Sequence, residues 1–256
     1  MSIQPNIPLK YFRCHFAYDS PLRLPKFAGA AWRGAFGTAL KKSVCVVRNT
    51  PCSQCMLRNS CAYTYIFETP PPENAEKMRK YNAVPHPFVF RMLTNEEQQP
   101  NQYGLDIHLF GRAERFFPYV VFALQQAGKE GIGGHRQIFT LQTITEIAPS
   151  QEHKIIFEEG KLSLITAPEC PQIPKMPDAI TLKIQSPLRI KQQGKNVSNT
   201  EFTFGAFFIT LLRRISLISY FHTDTPLDID FKTLSEKARA INFSSQQLKW
   251  YDWTRY

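Results

Sequence analysis

No stretch of this 256-residue chain approaches the 18 or more consecutive apolar residues that a bilayer-spanning helix requires. The opening MSIQPNIPLKYF lacks the order of a secretory signal, a basic segment followed by an apolar one, so a cytoplasmic protein is expected. Acidic side chains are few: 21 Asp and Glu stand against 31 Lys and Arg, for a net charge of +10. That imbalance points to nucleic acid or another anionic surface as partner, through phosphate contacts and counterion release. Histidine is scarce as well, six in all with none between His15 and His86, which leaves few imidazoles for acid or base work.

What the chain has is a soluble, globular balance, 43% hydrophobic and 20% charged, at a length sufficient for one large or two small domains. Alternation marks a strand over 9–18, with Tyr11, Arg13, His15 and Ala17 on one face. A helix follows over 28–44, with Trp32, Phe36 and Leu40 at helical spacing and Arg33, Lys41 and Lys42 off that face. Strands are expected at 87–94 and 104–112, then a helix at 114–128 that tolerates Pro118 in its first turn. The turn GIGGH (131–135) and a strand at 136–147 complete the order β-α-β-β-α-β. This is the ferredoxin-like, RRM-like signature of an α+β fold, an antiparallel sheet under two helices.

A hairpin at 154–165 and a proline-punctuated linker at 166–178 come next, then a strand at 179–184 and a long apolar helix at 201–222. The last could be mistaken for a membrane span, but adjacent Arg213 and Arg214 favour a buried helix. SPLRL at 20–24 and SPLRI at 186–190 each follow a strand and precede a helix, which suggests two related halves. The expected organisation is a ferredoxin-like domain at 1–150, a hairpin and linker at 151–178, and an incomplete second ferredoxin-like half at 179–256.

Four of the six cysteines fall within 45–61, at the spacing C-x6-C-x2-C-x5-C. Thiolates of Cys45, Cys52, Cys55 and Cys61 can wrap a tetrahedral zinc, with Pro51 and Ser53-Gln54 providing the turn. In a reducing compartment such clusters suggest metal before disulfide. The spacing also resembles the iron–sulfur loop of endonuclease III-type DNA glycosylases, and thiolate-only sites accept either metal. The expected role is structural: an insertion too short for its own core is closed and displays Arg48 and Arg58. Cys14 and Cys170 read as bystanders. Basic and aromatic residues interleave at 77–81 and 249–256, a mixture that stacks on single-stranded bases. Trp250 and Trp253 nevertheless read first as packed, with Arg255 exposed.

The succession WRGAFGTALKKSVC, CSQCMLRNSCAYTYIFETPPP, PHPFVFR, LFGRAERFFPYVVFAL, GIGGHRQIF and LKWYDWTRY resembles the CRISPR precursor-RNA-processing endoribonucleases of the RAMP superfamily, over about residues 9–256. The resemblance implies tandem ferredoxin-like RAMP domains that bind CRISPR repeat RNA and cut it once on the 3′ side, leaving a 5′ handle. It implies metal-independent attack by the ribose 2′-OH, giving a 2′,3′-cyclic phosphate, with no cofactor for catalysis. Zinc is therefore preferred to an iron–sulfur cluster at the cysteines, since this chemistry needs no electron carrier. His15, on the first strand, and His135, in the glycine-rich turn, are the candidate acid or base, with Tyr11 as helper. Arg33, Lys41, Lys42, Arg48, Arg58, Arg136, Arg213, Arg214 and Arg255 are candidate RNA contacts.

Family members continue past a segment like WYDWTRY into a glycine-rich loop that contacts RNA, whereas this sequence stops at Tyr256. It reads as a fragment, a shortened form, or one part of an assembly with other CRISPR-associated proteins or a fused reverse transcriptase and integrase. Two other classes stay open. One is a RAMP-fold subunit that binds RNA without cutting it. The other is a DNA-repair glycosylase, suggested by the cysteine loop alone.

Overall fold

Alternation along β1 (Leu9–Ala17) sends Phe12, Cys14 and Phe16 to one side at 0% exposure and leaves Tyr11, Arg13 and His15 half-buried on the other. The computed structural model describes residues 7–252 apart from 21–22, 73, 79–83, 95–96, 99–101, 168, 170–174 and 176. In α1 (Gly29–Val44), Trp32, Phe36 and Leu40 recur every four residues and are buried, while Lys41 and Lys42 occupy the last turn, where cations suit the helix dipole. α2 (Ala62–Phe67) lies against α1, with Phe67 so close to Gly37 that a Cβ there would stand 2.9 Å from its ring.

β1 is the centre of an antiparallel six-stranded sheet. β3 (Gln102–Phe110) pairs on one side, with β2 (Phe88–Met92) beyond it. β4 (Thr140–Ile147) pairs on the other, followed outward by β5 (His153–Glu158) and β6 (Lys161–Leu162). The inner order β2-β3-β1-β4, with α1 and α3 (Phe117–Glu130) packed together, is compatible with a ferredoxin-like arrangement; the fold is α+β. Aromatic residues fill the space between sheet and helices. Phe12 stacks on Phe117 at 3.9 Å, and Trp32 sits 4.8 Å from Phe16 and 4.9 Å from Phe139. The chain leaving β6 is strapped to the sheet by a buried ion pair: Lys10 Nζ meets Glu146 Oε1 at 2.5 Å and also donates to Thr166 Oγ1 and Ala167 O.

Beyond this sheet lie a small hairpin, β7 (Lys191–Gln192) with β8 (Lys195–Asn196), and the helices α4 (Phe204–His222) and α5 (Phe231–Ala240). Both helices start on a side-chain cap: Thr203 accepts from Ala206 N at 3.1 Å, and Asp230 from Thr233 N at 3.0 Å. By length and composition α4 could cross a bilayer, and 39% of its apolar window is buried within the protein. Its last turn docks on the segment that follows β3. Arg112 Nη2 donates to Phe221 O at 3.0 Å, and Gly111, at φ +55°, brings its Cα against the carbonyl of His222 with no room for a Cβ.

Several boundaries differ from the sequence expectations. Residues 111–116 form a tight 3-10 helix instead of opening the following α-helix. β4 starts at Thr140, because the chain just before it closes the glycine loop: Ile132 and Gln137 exchange backbone hydrogen bonds at 2.9 and 3.1 Å. Residues 179–184, expected as a strand, have no strand partner among the described residues and are exposed; alternation alone does not make a strand without a neighbour to pair with. The second SPLR segment leads into β7 and β8 before any helix.

His222 closes the last turn of α4, where a basic side chain suits the helix dipole. It is also fully buried: Pro85 O can only accept, so Nε2 donates to it at 2.8 Å, and Nδ1 accepts from Tyr65 Oη at 3.1 Å. Burial, followed by the charges of Arg112 and Arg214, pushes its pKa down to about 4 from the ordinary 6.5. The unfolded chain then binds the extra proton first, so this part of the stability is complete above about pH 6.5 and lost as pH falls toward 4. Urea midpoints measured across that window should show a loss of about 3 kcal/mol at pH 4 from this site. The slope should shrink in His222→Gln.

Candidate nucleic-acid interface

The sheet face opposite α1 carries the first set of expected residues. Tyr11 stacks on His108 across the β1–β3 pair, with ring centroids 4.5 Å apart. Its hydroxyl donates to Asp106 Oδ2 at 2.6 Å and accepts from Arg13 Nη2 at 2.9 Å. Burial, then the Asp106 hydrogen bond, raises its pKa. The phenol is thus committed to a fixed network. Asp106, at 0% exposure, also accepts from Arg13 Nε at 2.9 Å and Arg91 Nε at 2.8 Å, and Arg91 is braced by Glu97. His15 lies on the same face, half-buried, its pKa lowered by burial and then by Arg13. Its Nδ1 is buried and has no hydrogen-bond partner among the described residues.

His135 and Arg136 are exposed in the glycine loop, Arg136 at φ +50°. Lys42 is neutralised by Glu130 at 2.8 Å. Lys41 stands 5.2 Å over the Tyr63 ring, Arg48 is exposed, and Arg58 is half-buried with Nε unpartnered among the described residues. Arg255 and Trp253 lie outside the described residues, as do 79–81 of the basic stretch at 77–81. Trp250, read as packed, is 52% exposed, its indole donating to Asp252 at 2.7 Å, because the chain from 241 on lies along the surface.

The structure brings Arg33 and Arg214 together around His86. Arg33 lies over Phe67 and Phe88, 4.9 and 5.1 Å from their centroids, and the same two rings flank His86 at 6.0 Å each. Arg214 Nη2 donates to His86 O at 3.4 Å. Neither guanidinium meets a carboxylate among the described residues. Burial and then the charge of Arg214 lower the pKa of Arg33; burial lowers that of Arg214. Burial, Arg33 and Arg214, in that order, push His86 down to about 4, so its imidazole is neutral at pH 7. Its Nδ1 is buried and has no hydrogen-bond partner among the described residues. Two cations with no counter-charge beside a neutral imidazole form a ready site for an anion.

Arg213 points elsewhere on α4, into a cavity of about 1030 Å³ between the β7–β8 hairpin, α4 and α5. Arg189, Lys191, Lys195 and Arg239 line it too, against the carboxylate of Glu201. Sequence reading had assigned none of these four, nor His86, a function. VPHP reads as loop, and the residue that gives His86 its setting, Arg214, lies 128 positions away.

The four clustered cysteines are free thiols of intermediate exposure, and all four line one cavity of about 20 Å³ together with Lys41 and Tyr63. As placed, no group of three or more His, Cys, Asp or Glu side chains among the described residues stands ready to hold a metal ion. Burial, then Glu68, raises the pKa of Cys52, which sets it apart from a nucleophilic thiolate.

Residues 7–169 match the model of the AF_1859 N-terminal domain. An uncharacterized protein of Archaeoglobus fulgidus is 27% identical over 115 residues, covering 45% of this chain and 39% of that protein. The chain thus matches about two fifths of the length of this curated relative.

Proposed function

This chain belongs to the AF_1859 N-terminal domain family, and for it we propose the binding of CRISPR repeat RNA and its metal-independent endonucleolytic processing to guide RNAs. The observation that carries this reading is the uncompensated pair Arg33 and Arg214 beside His86. The two guanidiniums hold one backbone phosphate and offset the charge that builds on phosphorus. RNA binding has to uncover His86 Nδ1, which is buried in the free chain; the neutral imidazole then accepts the proton of the neighbouring 2′-OH. That oxygen bonds to phosphorus, the bond to the 5′ oxygen breaks, and the leaving oxygen takes a proton from solvent. The basic groove of Arg189, Lys191, Lys195, Arg213 and Arg239 tracks the flanking strand.

In the finer architecture of this proposal, the first RAMP unit carries residues 45–61 as an insertion, and the hairpin, α4 and α5 belong to a second unit. His86 takes the role expected of His15 and His135 because it is the histidine set beside the arginine pair, whereas Tyr11 is held by Asp106 and Arg13.

The test is labelled repeat RNA incubated with the full chain in EDTA. One defined cut ending in a 2′,3′-cyclic phosphate is the expected result. Binding should weaken with salt, log K falling by about 0.7 per phosphate contacted on a log salt scale. The slope should flatten in Arg213→Ser/Arg239→Ser. Salt-sensitive binding without a cut would favour the non-catalytic RAMP subunit; no binding at all would remove the RNA reading.

A further inference from the structure

Cys45 is the residue on which α1 ends and Cys61 the one from which α2 begins. Between them, backbone hydrogen bonds wind the chain into tight turns: Cys55 N to Cys52 O at 3.3 Å, Arg58 N to Cys55 O at 3.0 Å, and Cys61 N to Leu57 O at 2.9 Å. These turns bring all four cysteines to the lining of a single cavity of about 20 Å³, a space for one water-sized or ion-sized occupant. Among the described residues no imidazole or carboxylate lines it, although Glu68 reaches Cys52.

A second observation concerns what holds this connection in place. Not one residue from 45 to 61 is fully buried, and its large apolar side chains face outward, Val46 at 78% and Met56 at 90% exposure. A segment that buries so little apolar surface cannot offset the entropy of its own ordering by packing. Four cysteines at one cavity supply the missing tie.

We propose that Cys45, Cys52, Cys55 and Cys61 close around one structural zinc ion as thiolates, clamping the end of α1 to the start of α2. The thiols yield their protons to solvent as the ion binds, and no electron changes hands. The thiolates would then carry a net negative charge beside Lys41, which lines the same cavity. The inference does not depend on the RNA reading, but it bears on it. α2 supplies Phe67, which packs on Gly37 of α1 and lies under both Arg33 and His86. The clamp thereby holds the floor of the anion site.

The full chain, produced in zinc-supplemented medium and purified without chelator, should contain one zinc per chain by plasma mass spectrometry. Cobalt(II) in its place should give the thiolate charge-transfer and tetrahedral ligand-field bands of a sulfur-rich site. Cys52→Ser/Cys55→Ser should lose the metal and Cys170→Ser should keep it. Because losing ligands can also unfold the loop, the unmutated protein is titrated with a thiol-blocking mercurial while a chromogenic chelator reports free zinc. Release should be complete once the four clustered thiols have reacted, at four equivalents in Cys170→Ser and five where Cys170 reacts as well, Cys14 being fully buried. Zinc below a tenth of an equivalent, zinc retained by the double variant, or iron with acid-labile sulfide in its place would each overturn the proposal. All of these readouts are independent of RNA cleavage.

Discussion

Cleavage of repeat RNA by His86→Ala is expected to fall by about 10²–10⁴-fold, the range for losing a positioned general base. Arg33→Gln and Arg214→Gln should each cost about 10²–10³-fold, as for a donor aimed at developing charge. Single-turnover rates on saturating RNA separate these effects from binding. A base held at about 4 is weak; burial depresses it most, and Arg33 and Arg214 add the rest. A phosphate seated between those guanidiniums cancels that part and moves the imidazole back toward 6.5. The working form is the neutral one, so the rate should rise with pH through a limb between about 4 and 6.5 and then level off. Replacing either arginine removes part of the original depression, so that variant's free imidazole should titrate at higher pH than in the unmutated protein. His15→Ala and His135→Ala should cut at close to the unmutated rate. If His15→Ala abolishes cleavage and His86→Ala does not, the reacting centre is on the sheet face instead.

The second large effect is on stability. Asp106→Ala should destabilise the chain by about 3–5 kcal/mol, read as a lowered urea midpoint at unchanged slope. The carboxylate is wholly buried and accepts from Tyr11, Arg13 and Arg91, so its removal strands a phenol and two guanidiniums at once. The arginines are 26% and 32% exposed and can recover some water, which places the expected loss near the lower figure. Arg91 also keeps its two bonds to Glu97. Asp106→Asn retains an acceptor oxygen and should lose less. If the alanine variant unfolds like the unmutated protein, the network contributes placement of side chains and not stability.

Local pattern made much of this legible. The strict alternation of β1 and the four-residue recurrence of Trp32, Phe36 and Leu40 depend only on near neighbours, and both elements lie close to where periodicity placed them. The cysteine spacing is local in the same way, and the four thiols do share a cavity. Legibility ended where distant segments decide. Whether 179–184 becomes a strand depends on a partner, and none of the described residues supplies one. His222 is a helix end, and its burial could not be read locally because the Pro85 carbonyl and Tyr65 hydroxyl that it meets belong to another part of the chain. The meeting of Arg33, His86 and Arg214 joins three segments, and no window of sequence contains it.

The contact between Gly111 and the carbonyl of His222 sets an order on permissible change. At most tight turns a glycine can give way to asparagine at modest cost, since only its own backbone is at stake. Here any side chain at 111 would strike the end of α4, and the two positions are far apart along the chain. A lineage could therefore acquire a residue at 111 only after that helix end had shifted. It could not shift the helix end without surrendering the hydrogen bonds of His222. Each alteration waits on the other, so this joint would tend to persist while the surfaces around it diverge.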